Sequence, residues 1–123
     1  MESTTRISEA RLQSCCVIWF KNTHRQHADL LYQIKNDGRK HAISASSDKA
    51  LGLTPGIPDT FMAIPRGPWH GLYVEFKRPG EKLSDAQRKV IPQLQAQGYR
   101  VEVVTTEEQF RMLVYEYLAH GTA

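Results

Sequence analysis

The chain has 123 residues, of which 41% are hydrophobic and 24% charged, the composition of one globular domain with a sizeable core and no long disordered tract. Sixteen Lys and Arg against thirteen Asp and Glu give a net charge of +3 and a pI near 9.0. That balance permits an anionic partner without requiring one. No apolar run approaches the roughly 20 residues of a membrane helix, and no signal-peptide core is present, so a protein of the cytoplasm, without a membrane partner, is expected. The only two cysteines, Cys15 and Cys16, are adjacent. Neighbours are poorly placed for a disulfide, which fits a reducing compartment.

In chain order, apolar Ile7, Leu12, Cys15, Cys16, Ile18 and Trp19 predict a first helix from Ile7 to about Lys21, with Ser8 as N-cap. Leu30 to Lys35 reads as a strand ending at the turn triplet Asn36-Asp37-Gly38. Arg39 to Leu53 mixes basic, Ser and small residues without a period and is expected to be a loop with one short helical turn. Thr60 to Ile64 is strand-like, Pro65-Arg66-Gly67-Pro68 is a turn, and Val74-Glu75-Phe76-Lys77 is a further strand, so an antiparallel hairpin is predicted. Ser84-Asp85-Ala86-Gln87 is a capping box opening a helix to about Gln97, closed by Gly98. Pro92 inside it predicts a bend or a boundary near Arg88. Arg100 to Val104 is a fourth strand, and a final helix starts after Thr105-Thr106. The order α-β-β-β-α-β-α implies a mixed sheet flanked by helices, in a single domain spanning 1–123 with its core at about 7–118.

The hairpin carries the chemistry. Side chains two apart on a strand share a face, so Glu75 and Lys77 present a carboxylate and an ammonium together, with Val74 and Phe76 turned into the core. If the turn centres near Gly67, Asp59 falls opposite Glu75, and two converging carboxylates suit Mg²⁺ or Mn²⁺, ions that keep several waters for a phosphate. Asp59 and Glu75 would then be metal ligands, with the Phe76 carbonyl as a third hard donor. Lys77 would orient an attacking water and stabilise charge on the phosphate. Glu9 would complete the site directly or through water, and Gln87 would orient Lys77 or a water. Arg39, Lys40, Lys49, Arg66, Lys82 and Arg88 are candidates to hold backbone phosphates.

Bland readings exist for each of these. An isolated Glu-x-Lys is common charge alternation on an exposed strand, an acid at a helix start is favoured by the dipole, and a capping box by itself explains Gln87. His24 and His27 have zinc-ligand spacing but no further ligands. His41 belongs to the basic loop. His70, Trp69 and Tyr73 lie near the hairpin turn, where the two aromatics would either pack or stack on exposed bases.

Gly56-Ile57-Pro58-Asp59, then Glu75-Phe76-Lys77, resembles the PD-(D/E)xK nuclease superfamily, whose restriction-endonuclease-like core has the same αβββαβ order; here an extra C-terminal helix follows. With Glu9, Asn36-Asp37-Gly38 and Leu83-Ser84-Asp85-Ala86-Gln87, the pattern from about Glu9 to Val104 is similar to the VRR-NUC family, the virus-type replication-repair nucleases. Asp37 departs from it, standing where a second glycine is expected. The resemblance implies a phage or bacterial protein that dimerises and cuts branched DNA, such as four-way (Holliday) junctions or flaps, with Mg²⁺ or Mn²⁺. The competing expectations are a non-catalytic DNA-binding module of the same fold, a nuclease that needs a replication or recombination partner protein, and, more distantly, a zinc-binding interaction module.

Overall fold

The computed structural model describes residues 7–34 and 49–122. Asn36-Asp37-Gly38, Arg39, Lys40, His41 and most of the predicted basic loop lie outside the described residues.

Helix α1 spans Glu9–Thr23, and the Ser8 side chain caps it by accepting from the Arg11 N–H at 3.1 Å. Its buried residues, Leu12, Cys16 and Phe20, recur every four positions and so form one stripe facing the sheet. A 3-10 helix, Arg25–Leu30, follows, which the sequence reading did not anticipate; it shortens β1 to Leu31–Gln33. Lys21 holds this corner, its ammonium donating to the carbonyls of Ala28 and Leu31.

Strand β2 is Thr60–Met62 and β3 is Leu72–Phe76. Their register pairs Thr60 with Val74 and Met62 with Leu72, which centres the hairpin on Gly67 as its turn residues predicted. Helix α2, Asp85–Ala96, leads from β3 to β4, Arg100–Val104, which runs parallel to β3. Helix α3, Glu107–Ala119, ends the chain's regular structure, capped by Thr106. The sheet order is β1-β2-β3-β4, with only the last pair parallel. This is the expected mixed α/β architecture.

The predicted boundary near Arg88 is corrected: α2 runs unbroken through Pro92. Pro92 sits on the exposed side of the helix, where the carbonyl that loses its N–H partner is open to solvent hydration.

One face of the sheet carries the core. Leu31, Met62, Leu72, Val74 and Phe76 point toward α1 and α3 and are fully buried, together with Phe110, Val114 and Tyr117 of α3. The Tyr117 hydroxyl donates to the Ile64 carbonyl at 2.7 Å, tying α3 to the end of β2. Cys15 and Cys16 are both free thiols, Cys16 being fully buried in this layer. No helix among the described residues is long and apolar enough to cross a membrane.

Candidate active site

Alternation on β3 turns Glu75, with the following Lys77, to the face opposite Val74 and Phe76. Asp59, just ahead of β2, falls opposite Glu75. Two hydrogen bonds fix this juxtaposition: the Asp59 N–H donates to Glu75 Oε1 at 3.2 Å, and the Phe76 N–H donates to Asp59 Oδ2 at 2.9 Å. Glu75 Oε2 accepts from Gln87 Nε2 at 2.6 Å and stands 3.5 Å from Lys77 Nζ. Glu75, Lys77 and Gln87 are 3%, 8% and 7% exposed, so the cluster lies in a largely desolvated setting.

The capping box explains how Gln87 arrives there. Ser84 Oγ accepts from the Gln87 N–H, and Gln87 Oε1 accepts from the Ser84 N–H, which leaves the amide nitrogen free to aim at Glu75. One residue thus serves as cap and as second support for a carboxylate. The expectation that Gln87 orients Lys77 or a water is refined, since its partner is Glu75.

Gly56 brings the loop ahead of Asp59 against the same turn of α2. Its φ is +93°, and a Cβ there would stand 2.4 Å from the Ala86 carbonyl oxygen. Gly56→Ala is therefore expected to destabilise the protein by more than about 1 kcal/mol and to displace Asp59. Urea denaturation beside wild type checks this, and an unchanged midpoint would refute it.

Burial and mutual repulsion set the electrostatics. The Glu75 carboxyl is pushed up to about 7, first by burial and then by the Asp59 charge, with Gln87 and Lys77 pulling the other way. Burial also raises Asp59, against the Phe76 N–H and Lys77. Glu9, on the first turn of α1, is pushed up to about 7 by burial and by a hydrogen bond with Glu81, and it feels both Lys77 and Asp59. Glu81 is held below the usual carboxylate range, chiefly by that bond with Glu9 and then by the Arg78 N–H, 3.0 Å away.

Glu81 was missed in the sequence. Its only signal there is the Pro79-Gly80 turn after Lys77, which folds the chain back toward α1; Gly80 has φ +82°.

Among the described residues no group of three or more His, Cys, Asp or Glu side chains stands close enough to hold an ion. Glu9 pairs with Glu81 and lies within electrostatic reach of Lys77 and Asp59, at the border of the Asp59–Glu75 pair. His24 and His27 belong to no such group among the described residues, and the His24 ring packs among Trp19, Phe20 and Tyr115. The two-carboxylate donor set still fits a hard divalent ion, because magnesium is commonly held by one or two carboxylates and keeps its remaining waters. Each Glu75 oxygen also retains accepting capacity beyond its present donors.

The proposed phosphate contacts divide. Lys49, Lys82 and Arg88 are exposed. Arg88 is partly committed, donating to the Leu83 carbonyl at 2.6 Å and pairing with Asp85. Arg66 lies in the β2–β3 turn, bridged to Trp69 and bonded to the Pro65 carbonyl, at the opposite end of β3 from Glu75. His70 and Trp69 share that far end. Trp69 packs on Tyr117 and His120 under the Arg100 guanidinium, so it is not a base-stacking candidate at the site.

An αβββαβ core presenting a hairpin-borne Asp, Glu and Lys at one end of its sheet is the architecture of the PD-(D/E)xK nucleases. The comparisons with known proteins narrow this. The VRR-NUC domain matches residues 2–108, and the chain belongs to that family. A solved structure described as a VRR_NUC domain protein superposes with a TM-score of 0.82 at 24% identity, covering 97% of this chain and 94% of the other. No curated protein matches. The family is one of nucleases, so a nucleic-acid partner and phosphodiester hydrolysis follow at the family level.

Proposed function

We propose that this protein is a Mg²⁺- or Mn²⁺-dependent endonuclease that hydrolyses phosphodiesters in branched DNA, with four-way junctions and flaps as substrates. The observation that carries the reading is the convergence of Asp59, Glu75 and Lys77 from two strands, braced by Gln87 from a third element. Polar side chains as buried as Glu75, Lys77 and Gln87 are costly for a purely structural role, and carboxylates facing a polyanion make little sense for binding alone.

In this reading Asp59 and Glu75, with the Phe76 carbonyl, would hold the divalent cation, which would supply Lewis acidity at the phosphate and activate water. The remaining work belongs to the chain. The Phe76 N–H and the Gln87 amide keep the two carboxylates aimed at one point. Lys77, fixed beside Glu75, orients the attacking water and stabilises charge growing on the phosphate oxygens. The Glu9–Glu81 pair borders this point and takes part through water. Lys49 and Lys82 contact phosphates of the flanking duplex, and Arg39 and Lys40 are proposed for the same role. Cutting both strands of a symmetric junction calls for two sites related by a two-fold axis, which supports a homodimer.

The test is cleavage of matched duplex, flap, single-stranded and four-way-junction DNA with either metal, beside Asp59→Ala. Metal-dependent cutting confined to branched DNA and lost in the variant is expected. Tight binding without cutting would instead indicate a binding module or a missing partner protein. Lys82→Ala is expected to weaken binding uniformly across sequences and to lower the slope of log affinity against log salt by about 1. An unchanged slope would remove Lys82 from the interface.

A further inference from the structure

The sheet face that carries Glu75 and Lys77 also carries a row of aromatic rings. Phe61 lies opposite Tyr73 in the β2–β3 register, and Tyr32 lies opposite Phe61 in β1–β2. Residues directly opposite in a sheet project to the same side, so the three rings cross three strands on the Glu75 face. The Phe61 and Tyr73 centroids are 4.5 Å apart, and Tyr32 and Phe61 are 6.0 Å apart. Tyr99, just ahead of β4, closes the row at 5.6 Å from Tyr73 and 5.9 Å from Phe61. Gly71 gives the Phe61 ring its seat, since a Cβ there would meet Phe61 Cζ at 2.5 Å.

Phe76 and Phe110, which pack on the other face, are both 0% exposed. The rings of this row are more open. Tyr32 is 46% exposed, and Phe61, Tyr73 and Tyr99 are each partly open. Helix α2 shields this face over β4, leaving the rings on β1, β2 and β3 open beside it.

Register ties the row to the candidate active site. Phe61 follows Asp59 by two positions, and Tyr73 precedes Glu75 by two. The ring pair therefore sits one side-chain repeat, about 7 Å, from the carboxylate pair on the same face. That offset is within the reach of one nucleotide.

We propose that the row is a nucleobase subsite: unpaired bases next to the scissile phosphate stack on Phe61 and Tyr73, and the strand continues toward Tyr32. The inference rests on the nuclease reading and names what that site selects. Tyr32, Phe61, Tyr73 and Tyr99 offer no cation, so the row itself does not grip a phosphate backbone. Aromatic faces do stack on any base without regard to sequence. The cations that such a strand also needs stand at the catalytic end, in Lys77 and the exposed Lys82. Bases inside a duplex have their faces occupied by their neighbours, so the subsite favours a frayed, flapped or branched strand over matched duplex.

The experiment uses the Asp59→Ala protein, expected to bind without cutting, and flap and four-way-junction DNA carrying 2-aminopurine at the unpaired positions flanking the cut. Stacking quenches this probe. Quenching is expected on binding; it should be reduced in Tyr32→Leu and largely lost in the Tyr32→Leu, Tyr73→Leu double variant. Affinity for these DNAs should fall roughly 5- to 150-fold in the double variant, from a stacking contribution of about 1–3 kcal/mol per base, with matched-duplex affinity unchanged. Tyr32 is exposed enough that its single variant folds normally, which keeps the test valid if the double variant is unstable.

Unchanged quenching and affinity would overturn the proposal. So would conversion of a dimer to a monomer by the leucine substitutions, read by light scattering, with binding lost in proportion, because the row would then be a surface between two copies. Cutting by the wild-type protein without quenching would sink the subsite and spare the nuclease reading. Quenching by a protein that cuts no DNA with either metal would do the reverse.

Discussion

Asp59→Ala and Lys77→Ala are each expected to reduce DNA cleavage by roughly 10³-fold or more while leaving a folded protein. The structural reason differs between them. Asp59→Ala removes one of two carboxylates that meet across the β2–β3 hairpin, and it leaves the Phe76 N–H without its 2.9 Å acceptor. Lys77→Ala removes the ammonium 3.5 Å from Glu75 and leaves the carboxylates in place. Metal affinity should therefore separate the two: weakened in Asp59→Ala, and retained or strengthened in Lys77→Ala, where one competing cation is gone. Calorimetric titration with Mn²⁺ reads that difference. Cleavage at wild-type rates in either variant would end the assignment of these residues. Gln87→Ala should fall between, because it loosens Glu75 without removing it.

The second large effect is on stability against pH in the absence of divalent metal. Glu75 sits at about 7 in the folded protein against 4.5 ordinarily. The folded state then holds a proton that the unfolded chain has released between pH 4.5 and 7. The Glu75 contribution to stability therefore falls as pH rises through that window and stays low above it. Asp59 and Glu9 shift in the same direction. From Glu75 alone, the protein in EDTA should be about 2–3 kcal/mol more stable at pH 5 than at pH 8. Glu116, held at about 2 by Arg100 and His120, works with the opposite sign, but its contribution is lost only below pH 4.5 and leaves this window untouched. Glu75→Gln should flatten much of the profile and raise stability at pH 8. Mg²⁺ should also stabilise the wild-type protein at pH 8, since a ligand bound only by the folded state adds to its stability. Urea denaturation of both proteins at the two pH values decides the matter; equal pH dependence in wild type and Glu75→Gln would show that the carboxylate is not the source.

Both effects trace to pairs that could be read before any coordinates. Turn residues centred on Gly67 and strict alternation along β3 fix the hairpin register, because slipping by one residue would bury Glu75 and Lys77 and expose Val74 and Phe76. Asp59 opposite Glu75 is thus a property of local sequence. So is the Ser84–Gln87 capping box, whose two partners are three residues apart, and so is the αβββαβ order.

Other features depended on which distant segments meet, and local pattern carries no such information. Glu81 reaches Glu9 only because the Pro79-Gly80 turn folds back onto α1. Gln87 was recognisable as a cap, yet its aim at Glu75 needed α2 laid across the sheet. Arg66 and His70 looked close to the site by their place between Asp59 and Glu75. The hairpin sends them to its far end, since antiparallel strands carry the turn away from the residues they bring together. The aromatic row was legible at most as single residues. Its continuity requires the β1–β2 pairing, a contact across some thirty residues of chain. The sequence by itself determined the chemistry of each strand, through alternation and turn geometry. Only the tertiary structure decided which side chains support that chemistry, because long-range packing, not local propensity, sets where helices and loops come to rest on the sheet.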